Sequence, residues 1–317
     1  MRHAIVAGLA GLLGFATASL YGESNLNHTC VLGKSDRASD TSMSPERSVS
    51  HFDRQADKVT PSYLDKPLLS CPSQDPNAVD TCCVETYGGL LLATQFWSTY
   101  TGLESEGQLL PPDSWTLHGL WPDFCNGSYT QYCDLSRQYD PDPSPNTTTG
   151  TSSGTPVPPY EGPPISTFIE AFGLYDLLDW MNKYWINQGD PNWHLWAHEF
   201  SKHATCFSTF DLPCYGPKYV NHSDVIEYFE TAIKFELRLP TWDWLSAAGI
   251  TPSNTTRYTY ADIESTLTKK FGATPYIGCT GPRFNSTTAG AGTNDRGYTI
   301  LDEVWSKADP KKEFPSP

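Results

Sequence analysis

Within eleven consecutive positions, 193–203, the chain sets His194, His198, Glu199, Lys202 and His203 among large aromatic side chains. On an α-helix Glu199, Lys202 and His203 stand at i, i+3 and i+4 and share one face. A carboxylate, an ammonium and an imidazole crowded together make either an acid–base site or an anion site. His198-Glu199 also opens the HExxH zinc-protease pattern, but that pattern needs its two histidines at i and i+4. His198 and His203 are at i and i+5, about 140° apart around a helix of 3.6 residues per turn, so helical geometry argues against a metalloprotease. Taken alone, the segment reads equally well as a helix with one solvated polar face and one buried aromatic face. A second segment, 114–123, adds His118 beside Trp121 and Asp123. A single histidine in such a place is more often a satisfied core residue.

These side chains need a helix and a strand to position them. Large apolar residues alternate through Trp115 and Leu117, then the pattern stops at Gly119 and Trp121-Pro122, which reads as a strand running into a turn. His118 falls near the strand's end, where side chains can face a cleft. Residues 193–203 supply the helix.

Trp-Thr-x-His-Gly-Leu-Trp-Pro at 115–122 and His-Glu-x-x-Lys-His-x-Thr-Cys at 198–206 lie about eighty residues apart. Together they resemble the two signature segments of the ribonuclease T2 family, the secreted acid endoribonucleases. The first match is complete. The second departs only at Ala204, where glycine is usual. The resemblance covers roughly residues 63–305 and implies an α+β fold, a central antiparallel β-sheet flanked by several α-helices in one disulfide-stapled domain. It implies a monomer that cleaves single-stranded RNA by transesterification to a 2′,3′-cyclic phosphate and then, more slowly, a 3′-phosphate. RNA carries its own nucleophile, the 2′-OH, so cleavage needs a base, an acid and a cation near the phosphorane oxygens. Two imidazoles and a lysine meet those needs with no cofactor and no metal. By the resemblance His203 is the base, His118 the acid, and His198 orients the phosphate, although base and acid can be exchanged at this stage. Glu199 polarises the phosphate with Lys202; it can do so only if protonated or bridged through Lys202, so an acidic optimum is expected. Trp121, Asp123 and Tyr129 would form one base site. Gln188 and Leu195 are candidates for a second, Leu195 replacing the usual aromatic. The implied disulfides are Cys71–Cys125, Cys82–Cys214 and Cys133–Cys206.

The remaining chain fits an exported protein. A basic start, an apolar run and Ala16-Thr17-Ala18 describe a signal peptide over residues 1–18, too short to span a bilayer. No other apolar stretch approaches membrane length, so no membrane association is expected after cleavage, and the destination is extracellular, or vacuolar or lysosomal through the same pathway. All nine cysteines follow the leader, as in a disulfide-bonded secreted chain. Adjacent Cys82 and Cys83, read as strand, point to opposite faces and to different partners. Sequons at Asn27, Asn126, Asn146, Asn221, Asn254 and Asn285 mark surface loops of a glycoprotein. Residues 19–62 read as a polar arm without periodicity, and 63–305 as the catalytic domain. Within that domain 141–164 is a Pro/Ser/Thr-rich loop, because the two motifs that must share a site lie on either side of it. Helical stripes run through 165–185, divided near Gly173; after an Asp224/Glu227 capping box; and from Thr259 to Gly272. Residues 306–317 read as a polar tail. In the resembling family a further strand and a cysteine partner for Cys279 follow there, so Cys279 is expected to be free and one sheet edge uncovered.

Composition is the main contrary evidence. A formal charge of −15 lacks the basic footprint of a neutral-pH nucleic-acid binder. However, 36 carboxylates against 21 Lys/Arg and 8 His approach balance near about pH 5, and catalysis needs only a local positive site. The rival class is a secreted binding or cytotoxic protein on the same fold without catalysis, against which the intact His118, Glu199, Lys202 and His203 speak. A metal-dependent phosphoesterase is disfavoured by ligand spacing.

Overall fold

The computed structural model describes residues 81–83, 86, 88–253, 255–280 and 300–308. The expected leader, arm and domain start, the tail from 309, Cys30, Cys71, Asn27, Asn254 and Asn285 lie outside these residues.

Four strands form one antiparallel sheet: β1 (Gly89–Phe96), β2 (Thr116–Phe124), β3 (Tyr276–Thr280) and β4 (Ile300–Ala308). Their spatial order is β2-β1-β4-β3. The apolar run of β1 pairs on both sides and is buried through most of its length, as a continuous hydrophobic strand should be. Alternation sorts its side chains. Leu91 and Ala93 join the main core with Leu120, while Leu92, Thr94 and Phe96 face the other way, opposite Trp121, Trp305 and Glu303 respectively.

Among the described residues seven α-helices flank the sheet: α1 (Ser166–Ala171), α2 (Tyr175–Tyr184), α3 (Asn192–Lys202), α4 (Leu212–Tyr215), α5 (Ser223–Glu236), α6 (Thr241–Ala247) and α7 (Tyr260–Phe271). The main core takes Ile169 of α1, Met181 of α2, Phe200 of α3 and Phe229 of α5 against the sheet. A second cluster packs Leu245, Ile263 and Leu267 of α6 and α7 against Trp115, Ile277 and Val304. The chain is therefore an α+β protein with a central antiparallel sheet flanked by helices. Among the described helices none is long and apolar enough to cross a membrane.

Four local expectations need correction. Gly119 and Trp121-Pro122 do not end in a turn: β2 runs through them to Phe124, each paired with β1, so His118 lies near the start of the strand. The Asp224/Glu227 capping box does not form: Asp224 lies inside α5, where its carboxylate accepts from Arg137 Nη1 at 3.1 Å and Tyr219 Oη at 2.8 Å. A buried guanidinium is a stronger claim on that carboxylate than a helix-end amide. At α7, by contrast, Thr259 Oγ1 does accept from the Asp262 N–H. Cys82 and Cys83 sit in a 3₁₀ turn rather than a strand. Lastly, Ser306, Lys307 and Ala308 are strand, not tail, paired with Ala93, Leu92 and Leu91. A central strand must satisfy backbone groups on both sides, and this demand does not depend on polar side chains.

Disulfides join Cys82 to Cys214 and Cys133 to Cys206. Cys125 is also disulfide-bonded, its expected partner Cys71 lying outside the described residues. Cys279 carries a free thiol. Residues 141–164 fold as a surface loop, Tyr160 N–H bonding the Asp140 carbonyl and Gly150 N–H that of Gln131.

Candidate active site

The ladder between β1 and β2 slips at one point. Thr94 pairs with Gly119 and Gln95 with Leu117, so His118 is the extra residue of a β-bulge. Bulges re-aim a side chain out of the alternation. The displaced His118 carbonyl accepts instead from Trp185 Nε1 at 2.8 Å, and Phe96 stacks on the imidazole with centroids 3.7 Å apart. Gly119 is required by close approach. A Cβ there would stand 1.8 Å from Glu199 Oε2, the oxygen that accepts from Trp121 Nε1 at 2.7 Å. The Trp121 ring in turn stacks on His203, centroids 4.7 Å apart.

The other half of the site is the end of α3, which packs with the following turn against β2, at the sheet's edge. Glu199 is fully buried and His203 nearly so. The helix stops at Lys202, whose carbonyl accepts from the Tyr132 N–H. Thr205 Oγ1 donates to the Ser201 carbonyl and accepts from the Cys133 N–H. The Cys133–Cys206 disulfide fastens the same junction. His203 caps the helix with αR backbone and its N–H still on the Glu199 carbonyl, so its backbone keeps close to the helical spacing from His198. Among the described residues, donor atoms of His198, Glu199 and His203 gather within 4.8 Å of one another, a set able to hold a cation. The spacing argument against metal thus fails, since it weighed angles around the helix and not the reach of the side chains.

His118 faces two carboxylates: Nε2 is 3.4 Å from Glu199 Oε1, and Nδ1 is 3.7 Å from Glu303 Oε2. His203 is in a different setting. Burial first, then the charges of Lys202, His198 and His118, hold it well below the ordinary imidazole value. His198 Nδ1 lies 2.8 Å from Asp140 Oδ2, which also accepts from Tyr132 Oη at 2.6 Å. Burial works against the Asp140 charge, but the hydrogen bond and charge of His198 and the Tyr132 hydroxyl outweigh it and hold that carboxyl down.

Residues 88–314 match the model of the Ribonuclease T2 family, 227 of the chain's 317 residues. The chain belongs to the ribonuclease T2 family. Relatives include Ribonuclease Le2 of Lentinula edodes, 38% identical over 67% of this chain and 77% of that protein. Ribonuclease T2-like 1-A of Candida albicans is 38% identical over 71% of this chain. The chain matches only 49% of that protein's length and 45% of the Aspergillus fumigatus ribonuclease T2-like protein's. Among solved structures, the crystal structure of Actibind, a T2 ribonuclease, superposes with a TM-score of 0.57 at 31% identity, covering 77% of this chain and 83% of that one.

Within this T2 fold Ala204 is fully buried in the main core and absent from the positive-φ residues, so its methyl group brings no backbone strain. The base-site candidates are less gathered. Asp123 is half-buried; burial raises its carboxyl to about 6 despite the opposing charge of Lys202. Tyr129 is 60% exposed. Trp121 retains only 9% of its surface with one face on His203, so it braces the site rather than offering an open stacking platform. Leu195 lies on α3 one turn before His198 and Glu199, packed on the main core. Gln188 is exposed and donates to the Tyr100 carbonyl. Sequence reading missed Asp140, Tyr132, Phe96 and Glu303 as neighbours of the site. The one available signal was that apolar Leu117 and Leu120 are three apart, which breaks strand alternation and marks the bulge.

Proposed function

We propose that the chain is an endoribonuclease that cleaves single-stranded RNA without a metal, through His203 as base and His118 as acid. The observation that carries this reading is the contrast between the two imidazoles. His203 is buried and its imidazole is held well below its ordinary value, as suits a base. His118, 17% exposed with a carboxylate at each nitrogen, suits a proton donor.

In the reaction His203 takes the 2′-OH proton as the 2′-oxygen bonds to phosphorus. The P–O5′ bond breaks, and His118 gives its proton to the departing 5′-oxygen. The product is a 2′,3′-cyclic phosphate, which water then opens to a 3′-phosphate by the reverse proton transfers. Lys202 supplies the cation for the phosphorane oxygens, with Glu199 beside it, and His198, held by Asp140, orients the phosphate. Asp123 and Tyr129 contact one base, Leu195 and Gln188 the other. An acidic optimum follows, because acid lowers the repulsion between this acidic chain and RNA while burial and nearby cations disfavour protonation of His203. The leader-like start, the disulfides and the exposed sequons Asn126, Asn146 and Asn221 support a secreted glycoprotein.

Phosphorus NMR of a single-stranded RNA digest, in chelator at pH 5, tests the reading. A cyclic-phosphate signal that gives way to a 3′-phosphomonoester is expected. Products carrying 5′-phosphates would contradict it.

A further inference from the structure

Glu303 lies on β4, roughly a hundred residues beyond the second motif and outside both, yet among the described residues it is the carboxylate within ion-pair reach of His118 Nδ1, at 3.7 Å. That nitrogen is buried and has no hydrogen-bond partner. Three features fix the glutamate. Its backbone pairs with Phe96, the residue whose ring stacks on His118. Its Oε2 accepts from Trp305 Nε1 at 2.8 Å. Its side chain fills the space left by Gly278 in the neighbouring strand, where a Cβ would meet Glu303 Cγ at 2.5 Å. Burial disfavours its charge, but His118 and the Trp305 N–H outweigh that and hold the carboxyl below its ordinary value.

We propose that Glu303 is the positioning residue of His118, holding Nδ1 toward β4 so that Nε2 presents its proton to the departing 5′-oxygen. The carboxylate also stabilises the imidazolium until that proton leaves, the role an orienting acid plays for any catalytic imidazole. This rests on the two-histidine reading above. The alternative role is structural: Glu303 would serve only as the acceptor for Trp305.

The test separates these roles through the leaving group. Glu303→Gln keeps an oxygen for the Trp305 N–H and removes the charge. Gly278→Ala keeps the charge and displaces the side chain. Glu303→Asp keeps a carboxylate on a shorter stem. Each is assayed on a mixture of dinucleoside phosphates and on nucleoside 3′-(4-nitrophenyl phosphates), whose leaving group needs no proton. On dinucleoside phosphates Glu303→Gln and Gly278→Ala should lose about 10- to 100-fold in kcat, within the reach of general-acid catalysis, with KM little changed and Glu303→Asp in between. On the nitrophenyl esters the loss should shrink to under about threefold, since no acid is needed there. An equal loss on both substrates would mean a structural role and overturn the proposal. So would wild-type turnover on dinucleoside phosphates by both Glu303→Gln and Gly278→Ala while His118→Ala is inactive. If His118→Ala itself turns over normally, the two-histidine reading fails and this inference with it. Should Glu303→Gln not fold, Gly278→Ala and Glu303→Asp decide the matter by the same ratio.

Discussion

The Trp121 indole donates a 2.7 Å hydrogen bond to Glu199 Oε2 and so joins β2 to α3 at the centre of the site. The other Glu199 oxygen has no hydrogen bond and only the 3.4 Å approach of His118 Nε2, so this hydrogen bond is the main hold on a fully buried glutamate. Trp121→Phe should therefore cost about 1–3 kcal/mol of stability, the penalty for an unpaired buried polar group, and lower kcat by about tenfold or more through misplacement of Glu199. Gly119→Ala should lower kcat as well, because its Cβ would overlap that same oxygen. Thermal unfolding and steady-state rates check both. Unchanged stability and rate in Trp121→Phe would mean that the bond carries nothing.

The setting of His203 fixes one limb of the pH profile. A base works only when deprotonated, and this imidazole is held well below its ordinary value of 6.5, so it stays competent into acid. The rate kcat/KM, which reports the free enzyme, should fall on the acid side only well below pH 6.5, and His198→Ala should move that limb up by removing one of the charges that depress His203. A wild-type limb at or above 6.5 would contradict this.

Much of the proposed site was legible because its candidate groups are crowded into two short segments. His118, Glu199, Lys202 and His203 could be named once those two segments resembled a family's signatures, and the helices around Gly173 and Thr259 from periodicity and capping. What was not legible depends on pairings between distant residues. Nothing local to Asp224 announces Arg137 as its partner, and nothing in the polar sequence Ser306-Lys307-Ala308 announces the central strand that recruits it. The spacing of His198 and His203 misled for another reason: their angle around the helix does not limit how closely their side chains converge. Nothing local to Glu303 marks it either; only the order β2-β1-β4-β3 brings it to His118.

Asp123 should make base preference depend on pH. With its carboxyl raised to about 6, it is an acceptor at pH 7 and a neutral acid, able to donate, at pH 5. The ranking of the four homopolymers should therefore change between these pH values. Asp123→Asn, which is neutral throughout, should show a ranking that no longer changes with pH. A wild-type ranking that is the same at both pH values would reduce Asp123 to a structural residue of β2.

Glu236 should make the fold more stable in acid. Burial raises its carboxyl from 4.5 to about 8, against an opposing hydrogen bond from Gln95, and its Oε2 has no partner. The folded value lies above the unfolded one, so this group's contribution is complete below about pH 4.5 and is lost as pH rises toward 8. Glu236→Gln should remove that slope: the variant's Tm relative to wild type should rise between pH 4 and pH 8. A difference that does not vary with pH would refute the assignment.

The central claim is that two imidazoles cleave RNA here without a metal, although His198, Glu199 and His203 converge closely enough to hold one. The most direct measurement is cleavage of single-stranded RNA at pH 5 by the wild type, His118→Ala and His203→Ala, each with and without chelator. The wild type should be unaffected by the chelator, and each variant should lose at least ~10²-fold with its folded spectrum intact. Near wild-type turnover in either variant, or loss of wild-type activity in chelator that added metal restores, would contradict the account.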